Sequence, residues 1–217
     1  MGMTPTQLED LVRQRMNVVG DTFWSSAELR QLMWIACFEL ARECMCIERT
    51  YTTTSVANQR DYDYPSNTIA IKRVTYDGEK LEPITWREDD ALTLNDTATS
   101  NTGTPKYYAV WNNTLYLRPT PDTSALSIEI FSYNQPQEIT ATSSFEIPEQ
   151  FVPDIQYYLL SAMASKEGDV NKAQYYQQMW DRSLVRAKTF CRKARRTDSF
   201  AAVQDQETLP LSIVGMK

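Results

Sequence analysis

The chain has 217 residues, of which 42% are hydrophobic and 23% are charged, and its formal net charge is −6. This composition is ordinary for a globular protein and argues against bulk disorder, and no apolar run approaches the ~18 residues of a membrane-spanning helix. The sequence contains no histidine, which excludes Ser-His-Asp and Cys-His nucleophilic sites, HExxH zinc proteases and histidine proton shuttles. We therefore expect a protein with a packed core, no membrane partner and no histidine-based chemistry.

Two helices are predicted near the N-terminus. Thr4-Pro5-Thr6-Gln7 combines a capping Thr, a Pro at the first helical position and a Gln three residues after the cap, which is a capping-box pattern. A second box, Ser25-Ser26-Ala27-Glu28, opens a longer helix whose apolar residues recur every three or four positions. Trp34, Ile35 and Phe38 widen its apolar arc, so we expect this helix to pack on two sides, within a bundle or against a neighbouring subunit.

A β-rich stretch follows from about Thr50. Asp77-Gly78 is a strong hairpin signal after the predicted strand Ile69–Tyr76, and Pro83 implies that the returning segment lies at a sheet edge. Short loops between the last three predicted strands favour an antiparallel meander. The other predicted strands are Tyr51–Val56, Leu81–Trp86, Lys106–Trp111, Thr114–Leu117 and Ser124–Tyr133.

Helical character returns after Pro148, since Pro148 and Pro153 stand where a helix begins. Glu167-Gly168-Asp169 separates this helix from a last helix that runs from about Val170 to Arg195. The segment 198–217 shows no sustained period but ends in an apolar stretch, and we interpret it as a docking tail. The predicted buried seam of the last helix is Ala173, Tyr176, Trp180, Leu184, Ala187, Cys191 and Ala194.

These elements predict an α+β protein. Its parts would be an antiparallel helical bundle of two N-terminal and two C-terminal helices, an inserted antiparallel β domain and an extended C-terminal tail. The predicted boundaries place residues 1–49 and 148–196 in the helical bundle. They place residues 50–147 in the β-rich insertion and residues 197–217 in the tail.

Charge is distributed unevenly along the chain. Residues 1–181 carry 25 acidic and 14 basic side chains, a formal charge of −11, whereas residues 182–196 carry seven basic side chains and no acidic one. Cations are favoured at a helix C-terminus, but seven of them exceed that requirement, so this cluster is a candidate interaction face. A mainly acidic body does not resemble a free-standing nucleic-acid binder. The basic cluster consists of Arg182, Arg186, Lys188, Arg192, Lys193, Arg195 and Arg196.

The four cysteines do not form a metal motif. Cys37, Cys44 and Cys46 fall in one apolar, helix-like stretch, and Cys191 lies far away in another. A CxC pair without a second CxxC pair is a poor zinc signature. We expect these residues to be buried thiols of a cytoplasmic product.

The run Glu88-Asp89-Asp90 is the best candidate for a hard-cation or acid/base site. Adjacent carboxylates in an exposed loop rarely have the unlike environments that acid/base catalysis needs, and the Gly and alternating ligands of a calcium loop are missing. A solvated helix start, of about one turn after Trp86, is the favoured interpretation. We expect no cofactor and no metal.

Tyrosines of the β insertion, such as Tyr51, Tyr62 and Tyr76, could form a platform on which bases stack. No Lys/Arg-rich groove accompanies them in the sequence, so we favour sheet packing and subunit contacts.

Three stretches carry a resemblance to a known family. The first is the helical hairpin with its S/T-x-x-E start, followed by ERTYTTTSVANQRDYDYP and IAIKRVTYDGEKLEPITW. The second is GTPKYYAVWNNTLYLRPTPD, and the third is FEIPEQFVPDIQYYLLSAMASKEGDVNKAQYYQQMWDRSLVRAKTFCRKARR. In the order of its elements and in its residue patterns, the chain resembles the head-to-tail adaptor (connector) proteins of tailed bacteriophages, especially those of short-tailed phages. None of these stretches is a catalytic signature.

The resemblance implies a structural virion protein and not an enzyme. Family members form a twelve-membered ring under the portal protein, extend the DNA channel and offer a platform for the next tail component, a nozzle or tube protein. Such a ring is assembled in the host cytoplasm, lies at the head–tail interface of the virion and lets double-stranded DNA pass without sequence specificity. By analogy, the basic end of the last helix would lie near the portal or the channel. The tail residues implied to dock on the portal are Thr208, Leu209, Pro210, Leu211, Ile213 and Val214.

Two other functions stay open at this point. A cell-wall hydrolase of the lysozyme type needs only two carboxylates and no histidine, and Glu39 and Glu43 would lie on adjacent turns of one helix. A DNA-binding packaging factor would use residues 182–196 and would show a steeply salt-dependent affinity for DNA.

Overall fold

The computed structural model describes residues 2–18, 23–95 and 102–207, with the side chains of residues 92–95 and 195–207 left aside. By contact, the chain divides into two compact units. The helical unit contains residues 1–46 and 136–217, and the β unit contains residues 47–135. The predicted α+β class is confirmed, with helices at both ends of the chain and two sheets between them. The predicted domain boundaries stay a prediction.

The two N-terminal helices begin where the capping boxes place them. Helix α1 spans Pro5–Met16, and the Thr4 hydroxyl accepts a hydrogen bond from the Gln7 amide at 3.2 Å while the Gln7 side chain accepts one from the Thr4 amide at 2.9 Å. Helix α2 spans Ser26–Cys44 and is capped by Ser25. Both helices end at a residue with positive φ, as helices commonly do.

The rest of the helical unit comes from the C-terminal part of the chain. A short 3-10 helix, Glu149–Asp154, leads into α4, Ile155–Lys166, and Gly168 with φ +82° separates α4 from α5, Val170–Glu207. Helix α4 packs against α1, α2 and α5. The predicted end of the last helix at Arg195 is wrong by about three turns, because the helix continues to Glu207.

The β unit holds eight strands among its described residues. The strands are β1 Glu48–Thr54, β2 Asp61–Asp63, β3 Thr68–Tyr76, β4 Glu79–Lys80, β5 Glu82–Pro83, β6 Tyr107–Trp111, β7 Thr114–Arg118 and β8 Ser127–Asn134. The first sheet has the order β1-β8-β3-β4 and the second has the order β2-β7-β6-β5. Tight hairpins at Asp77-Gly78 and Asn112-Asn113 have positive φ at both central residues, as such two-residue turns require.

One predicted strand is wrong in its pairing. Leu81–Trp86 was expected to return along its hairpin partner, but only Glu79–Lys80 pairs with β3, and Glu82–Pro83 pairs with β6 in the second sheet. That second pairing is parallel, so the β unit is not wholly antiparallel. The physical reason is Leu81, which is 1% exposed and lies in the core shared by both sheets.

The core of the β unit lies between the two sheets. Val74, Tyr76, Ile128 and Ile130 come from the first sheet, and residues of β2, β6 and β7 come from the second. All of them are nearly inaccessible to solvent. This inward-facing alternation is what defines a sandwich of two sheets. The contributions of the second sheet are Tyr62, Tyr108, Leu115 and Leu117.

Helix α3, Trp86–Asn95, belongs to the β unit and is longer than the single turn expected. Thr85 and Glu88 cap each other, with the Thr85 amide donating to Glu88 Oε2 at 2.7 Å and the Glu88 amide donating to Thr85 Oγ1 at 3.3 Å. Trp86 packs on Trp111 with ring centroids 5.6 Å apart. The helix start was therefore predicted correctly, but its length was not, because tertiary contacts extend it.

Asp89 should be essential to the stability of the β unit. Its carboxylate is paired with Arg60 and, at 2.9 Å, with Arg118, and the residue is 1% exposed. Asp89→Ala would leave two guanidinium groups without this partner, so we expect a loss of about 3–5 kcal/mol in the free energy of unfolding. Urea denaturation measures it.

The matched control for that change is Asp90→Ala, because Asp90 is the exposed neighbour on the same helix. It should shift the free energy of unfolding by no more than about 0.5 kcal/mol. Equal effects of the two substitutions would contradict a structural role for the buried ion pairs.

Candidate interaction surfaces

Helix α5 carries most of the predicted basic cluster. Its start is fixed by Asp169, whose side chain accepts a hydrogen bond from the Lys172 amide at 3.1 Å and pairs with the Lys172 ammonium at 3.0 Å. The hydrogen bond from the Lys172 backbone lowers the pKa of Asp169, with a further contribution from the Lys172 side chain. A carboxylate at this end also complements the helix dipole.

The buried side of α5 matches the predicted seam only in part, since Ala173, Tyr176 and Leu184 are half-buried. Trp180, Ala187 and Cys191 are buried as expected, and Trp180 Nε1 donates a hydrogen bond to Glu39 Oε2 on α2 at 3.0 Å. Ser183 is buried although the prediction omitted it, and Ala194 is exposed although the prediction included it. The predicted seam advances in steps of three and four residues, whereas a straight helix has 3.6 residues per turn. The seam therefore drifts around a long helix, and only part of it faces the neighbouring helices.

Two predicted basic residues are tied to the helical unit itself. Arg186 pairs with Asp154 at 3.1 Å, and Lys188 pairs with Glu43 of α2. The hydrogen bond from Lys188 is the main reason why the pKa of Glu43 is lowered. These two ion pairs help to hold α5 against its neighbours, and the role of both cations in an interaction face stays a prediction.

The remaining described cations of the cluster are exposed. Arg182, Arg192 and Lys193 lie on the solvent side of α5, and Arg182 borders a cleft of about 620 Å³ with Tyr157, Met179 and Val185. Val185 is 62% exposed. An exposed surface that mixes arginine with large apolar side chains is typical of a protein interface. The side chains of Arg195 and Arg196 lie outside the described part of the chain.

Helix α2 presents a second partly apolar surface. Trp34, Ile35 and Phe38, which widened the predicted arc, are only half-buried by the helical unit. Trp34 lies 5.7 Å from Phe38 between ring centroids and donates from Nε1 to the Pro136 carbonyl at 3.2 Å. A groove of about 780 Å³ runs beside Trp34, between α2 and residues 136–140. This surface is suited to further packing.

The predicted docking tail includes the residues implied to bind the portal. Residues 208–217 lie outside the described residues, and with them Thr208, Leu209, Pro210, Leu211, Ile213 and Val214. Because α5 is helical to Glu207, the tail proper begins about ten residues later than predicted. Its role as a docking segment stays a prediction.

The β unit holds a cationic groove that sequence reasoning missed. The basic groove, as we call it, has a volume of about 440 Å³ and crosses the first sheet. It contradicts the expectation that no Lys/Arg-rich groove accompanies the β insertion. The four cations come from three strands, so no local run of charge announced them. The basic groove is lined by Glu48, Arg49, Thr50, Lys72, Arg73, Lys80, Phe131 and Ser132.

The carboxylates considered for catalysis have structural partners. Glu43 has a lowered pKa because of Lys188, which is the opposite of what a general acid needs, and Glu39 accepts the Trp180 hydrogen bond. Asp89 is buried between two arginines and is not solvated as expected. Among the described residues no group of three or more His, Cys, Asp or Glu could hold a metal ion. Nor is any helix there long and apolar enough to cross a membrane.

The cysteines come closer together than the sequence suggested. Cys44 of α2 interacts with Cys191 of α5, and Cys46 lies near both Cys37 and Cys44. Burial raises the pKa of Cys37 and of Cys44 to about 12. The expectation of buried thiols is confirmed for Cys37, Cys44 and Cys191, whereas Cys46 is half-buried.

Thiol reactivity should follow this burial. The thiolate is the reactive form, so at pH 8 Cys37 and Cys44, with a pKa of about 12, should be inert to Ellman's reagent in the native protein. We expect one fast-reacting thiol, Cys46, and four thiols after denaturation. Cys46→Ser should remove the fast phase and Cys37→Ser should retain it. Rapid reaction of all four native thiols would contradict the packing of α2 against α5.

Comparison with known proteins gives a family assignment. A family model described as SU10 adaptor protein matches residues 3–206, nearly the whole chain. No curated protein matches the sequence significantly.

Proposed function

The chain belongs to the SU10 adaptor protein family, a family of phage head-tail adaptors, and we propose that it works as one subunit of a ring at the head–tail interface of the virion. In this proposal the ring, a dodecamer, docks under the portal protein and extends the DNA channel. It also provides the platform on which the tail nozzle or tube protein assembles. Assembly takes place in the host cytoplasm. The family match carries the proposal.

The surfaces of the helical unit support assembly with other proteins. Helix α2 keeps three large apolar side chains half-exposed, and α5 exposes Val185 beside Arg182. A ring with cyclic symmetry needs two different, mutually complementary faces on each subunit. These two helices offer separate surfaces of mixed apolar and polar character, as such contacts require.

The charge of the chain supports a conduit that DNA can slide through. Twelve copies at −6 would place about −72 around the channel, and a mainly negative wall repels phosphates. Arg182 and Arg192 are exposed exceptions. In this proposal they steady the DNA backbone or pair with acidic residues of the portal, since arginine binds phosphate and carboxylate groups in bidentate geometry.

The docking tail can be tested by truncation after α5. Deleting residues 208–217 leaves every described helix intact, so we expect an unchanged circular dichroism spectrum and loss of binding to isolated portal rings in a pull-down. Replacing Leu209, Leu211, Ile213 and Val214 by Ser should have the same effect if apolar contacts hold the tail. Portal binding that survives both changes would remove the assigned role.

The channel role predicts weak binding to DNA. At about 150 mM salt we expect no measurable affinity of the protein for duplex DNA. At low salt we expect a weak affinity that decreases only gradually as the salt concentration rises, because the protein contacts few phosphates. Arg182→Glu with Arg192→Glu should abolish the low-salt binding, whereas Lys188→Gln should change it little, because Glu43 already pairs with Lys188. Fluorescence anisotropy measures both.

Tight DNA binding with a steep salt dependence would instead favour the DNA-binding packaging factor over the passive channel. The cell-wall hydrolase has no comparable support, since Glu39 and Glu43 have structural partners. Zymography on cell-wall material tests this alternative. A clear zone that is lost in the Glu43→Gln variant would support the hydrolase.

A further inference from the structure

The basic groove contains one lysine–carboxylate pair of its own. Lys72 Nζ lies 3.0 Å from Glu48 Oε1, and both side chains remain about half exposed. Arg73 stacks over the Phe131 ring, with its guanidinium carbon 4.1 Å from the centroid. Stacking on an aromatic ring holds a guanidinium in a defined plane, which suits bidentate binding of carboxylate groups. Glu48 thus shows the kind of ligand that the groove accepts.

More cations than carboxylates line the groove. Arg49, Lys72, Arg73 and Lys80 share it with one lining carboxylate, that of Glu48. Like charges repel one another, so a further anionic partner in the groove is stabilised. The acidic character of residues 1–181 works against the approach of a polyanion such as DNA. A protein carboxylate is the better match.

The β unit itself carries a matching acidic surface. Strand β2 forms an edge of the second sheet, and its Asp61 and Asp63 are exposed on either side of the buried Tyr62. Since side chains two apart in a strand share a face, the two carboxylates lie side by side. Asp63 accepts a hydrogen bond from Thr114 Oγ1 at 3.2 Å. Within the described part of the chain neither aspartate has an ion-pair partner within 4 Å.

We propose that the basic groove of one copy binds Asp61 and Asp63 on β2 of a neighbouring copy. The contact rests on the ring proposed above, and it names the surfaces through which neighbouring β units meet. The basic groove lies on the first sheet and β2 lies in the second sheet of the same unit. Each copy can therefore bind one neighbour through its groove and another neighbour through its β2. Such a head-to-tail contact closes into a ring when its rotation allows. Each cluster of like charges is neutralised by the other.

Zero-length cross-linking tests the contact directly. Rings assembled from equal amounts of ¹⁴N- and ¹⁵N-labelled full-length protein are treated with a carbodiimide, which joins a carboxylate to a lysine amine as an amide with loss of water. We expect isotopically mixed peptides that link Asp61 or Asp63 to Lys72 or Lys80. The within-chain pair of Glu48 and Lys72 serves as the internal standard, since its atoms lie 3.0 Å apart.

Charge reversal tests the same contact through assembly. Lys72→Glu with Lys80→Glu, or Asp61→Lys with Asp63→Lys, should raise the protein concentration needed for ring formation about tenfold or more in sedimentation velocity, because attraction becomes repulsion. All four changes in one chain should restore assembly, since the charges are complementary again. Arg87→Glu with Lys106→Glu is the matched control, because both residues are exposed in the β unit but lie outside the groove. Thermal melts confirm that each variant folds.

The outcomes separate this contact from the proposed function. If rings form without the mixed cross-links, or if neither charge reversal affects ring formation, the contact is wrong but the proposed ring is not. A groove variant that loses low-salt DNA binding but assembles normally assigns the groove to phosphate and also overturns the contact. If the wild-type protein forms no ring even on portal particles, the proposed function fails and the contact fails with it.

Discussion

The pairing of the first and last strands of the β unit is the constraint on which the architecture depends. Strand β1 runs antiparallel to β8 in register from Glu48 opposite Tyr133 to Thr54 opposite Ser127, and the Asn134 amide donates to the Ile47 carbonyl at 2.9 Å. The two ends of the insertion are therefore neighbours. An insertion whose ends meet can be accommodated at one point of another unit, so the helical unit can be built from two distant parts of the chain.

Ionic contacts hold each unit together from within. In the β unit, the buried Asp89 pairs with Arg60 and Arg118, whereas in the helical unit the ion pairs of Glu43 with Lys188 and of Asp154 with Arg186 are more exposed. Removing one member of a buried pair costs far more than removing an exposed pair. The exposed cations of α5 and of the basic groove can therefore bind another protein without destabilising the fold.

Local signals in the sequence were sufficient for some features and not for others. The capping boxes at Thr4 and Ser25 and the Asp77-Gly78 hairpin depend on neighbouring residues, and each was confirmed. The basic groove, the parallel pairing of β5 with β6 and the contact of Cys44 with Cys191 join residues distant in sequence. No periodicity encodes such contacts, because they arise from tertiary packing. The charge run 182–196 was predicted as a single candidate interaction cluster, whereas the structure places Arg186 and Lys188 in ion pairs within the helical unit and exposes Arg182, Arg192 and Lys193.

An interface made of exposed charges has consequences for how a ring would assemble. Each exposed ion pair contributes only about 0.2–1 kcal/mol and is screened by salt, so two free subunits bind weakly and reversibly. Docking of each subunit on a portal ring raises the effective concentration of its neighbours, which turns weak lateral contacts into stable ones. In the proposed function, a lower subunit concentration would then suffice for ring assembly on the portal than in free solution. A subunit that is acidic over residues 1–181, with its cations gathered in a groove and on α5, is suited to this order of events.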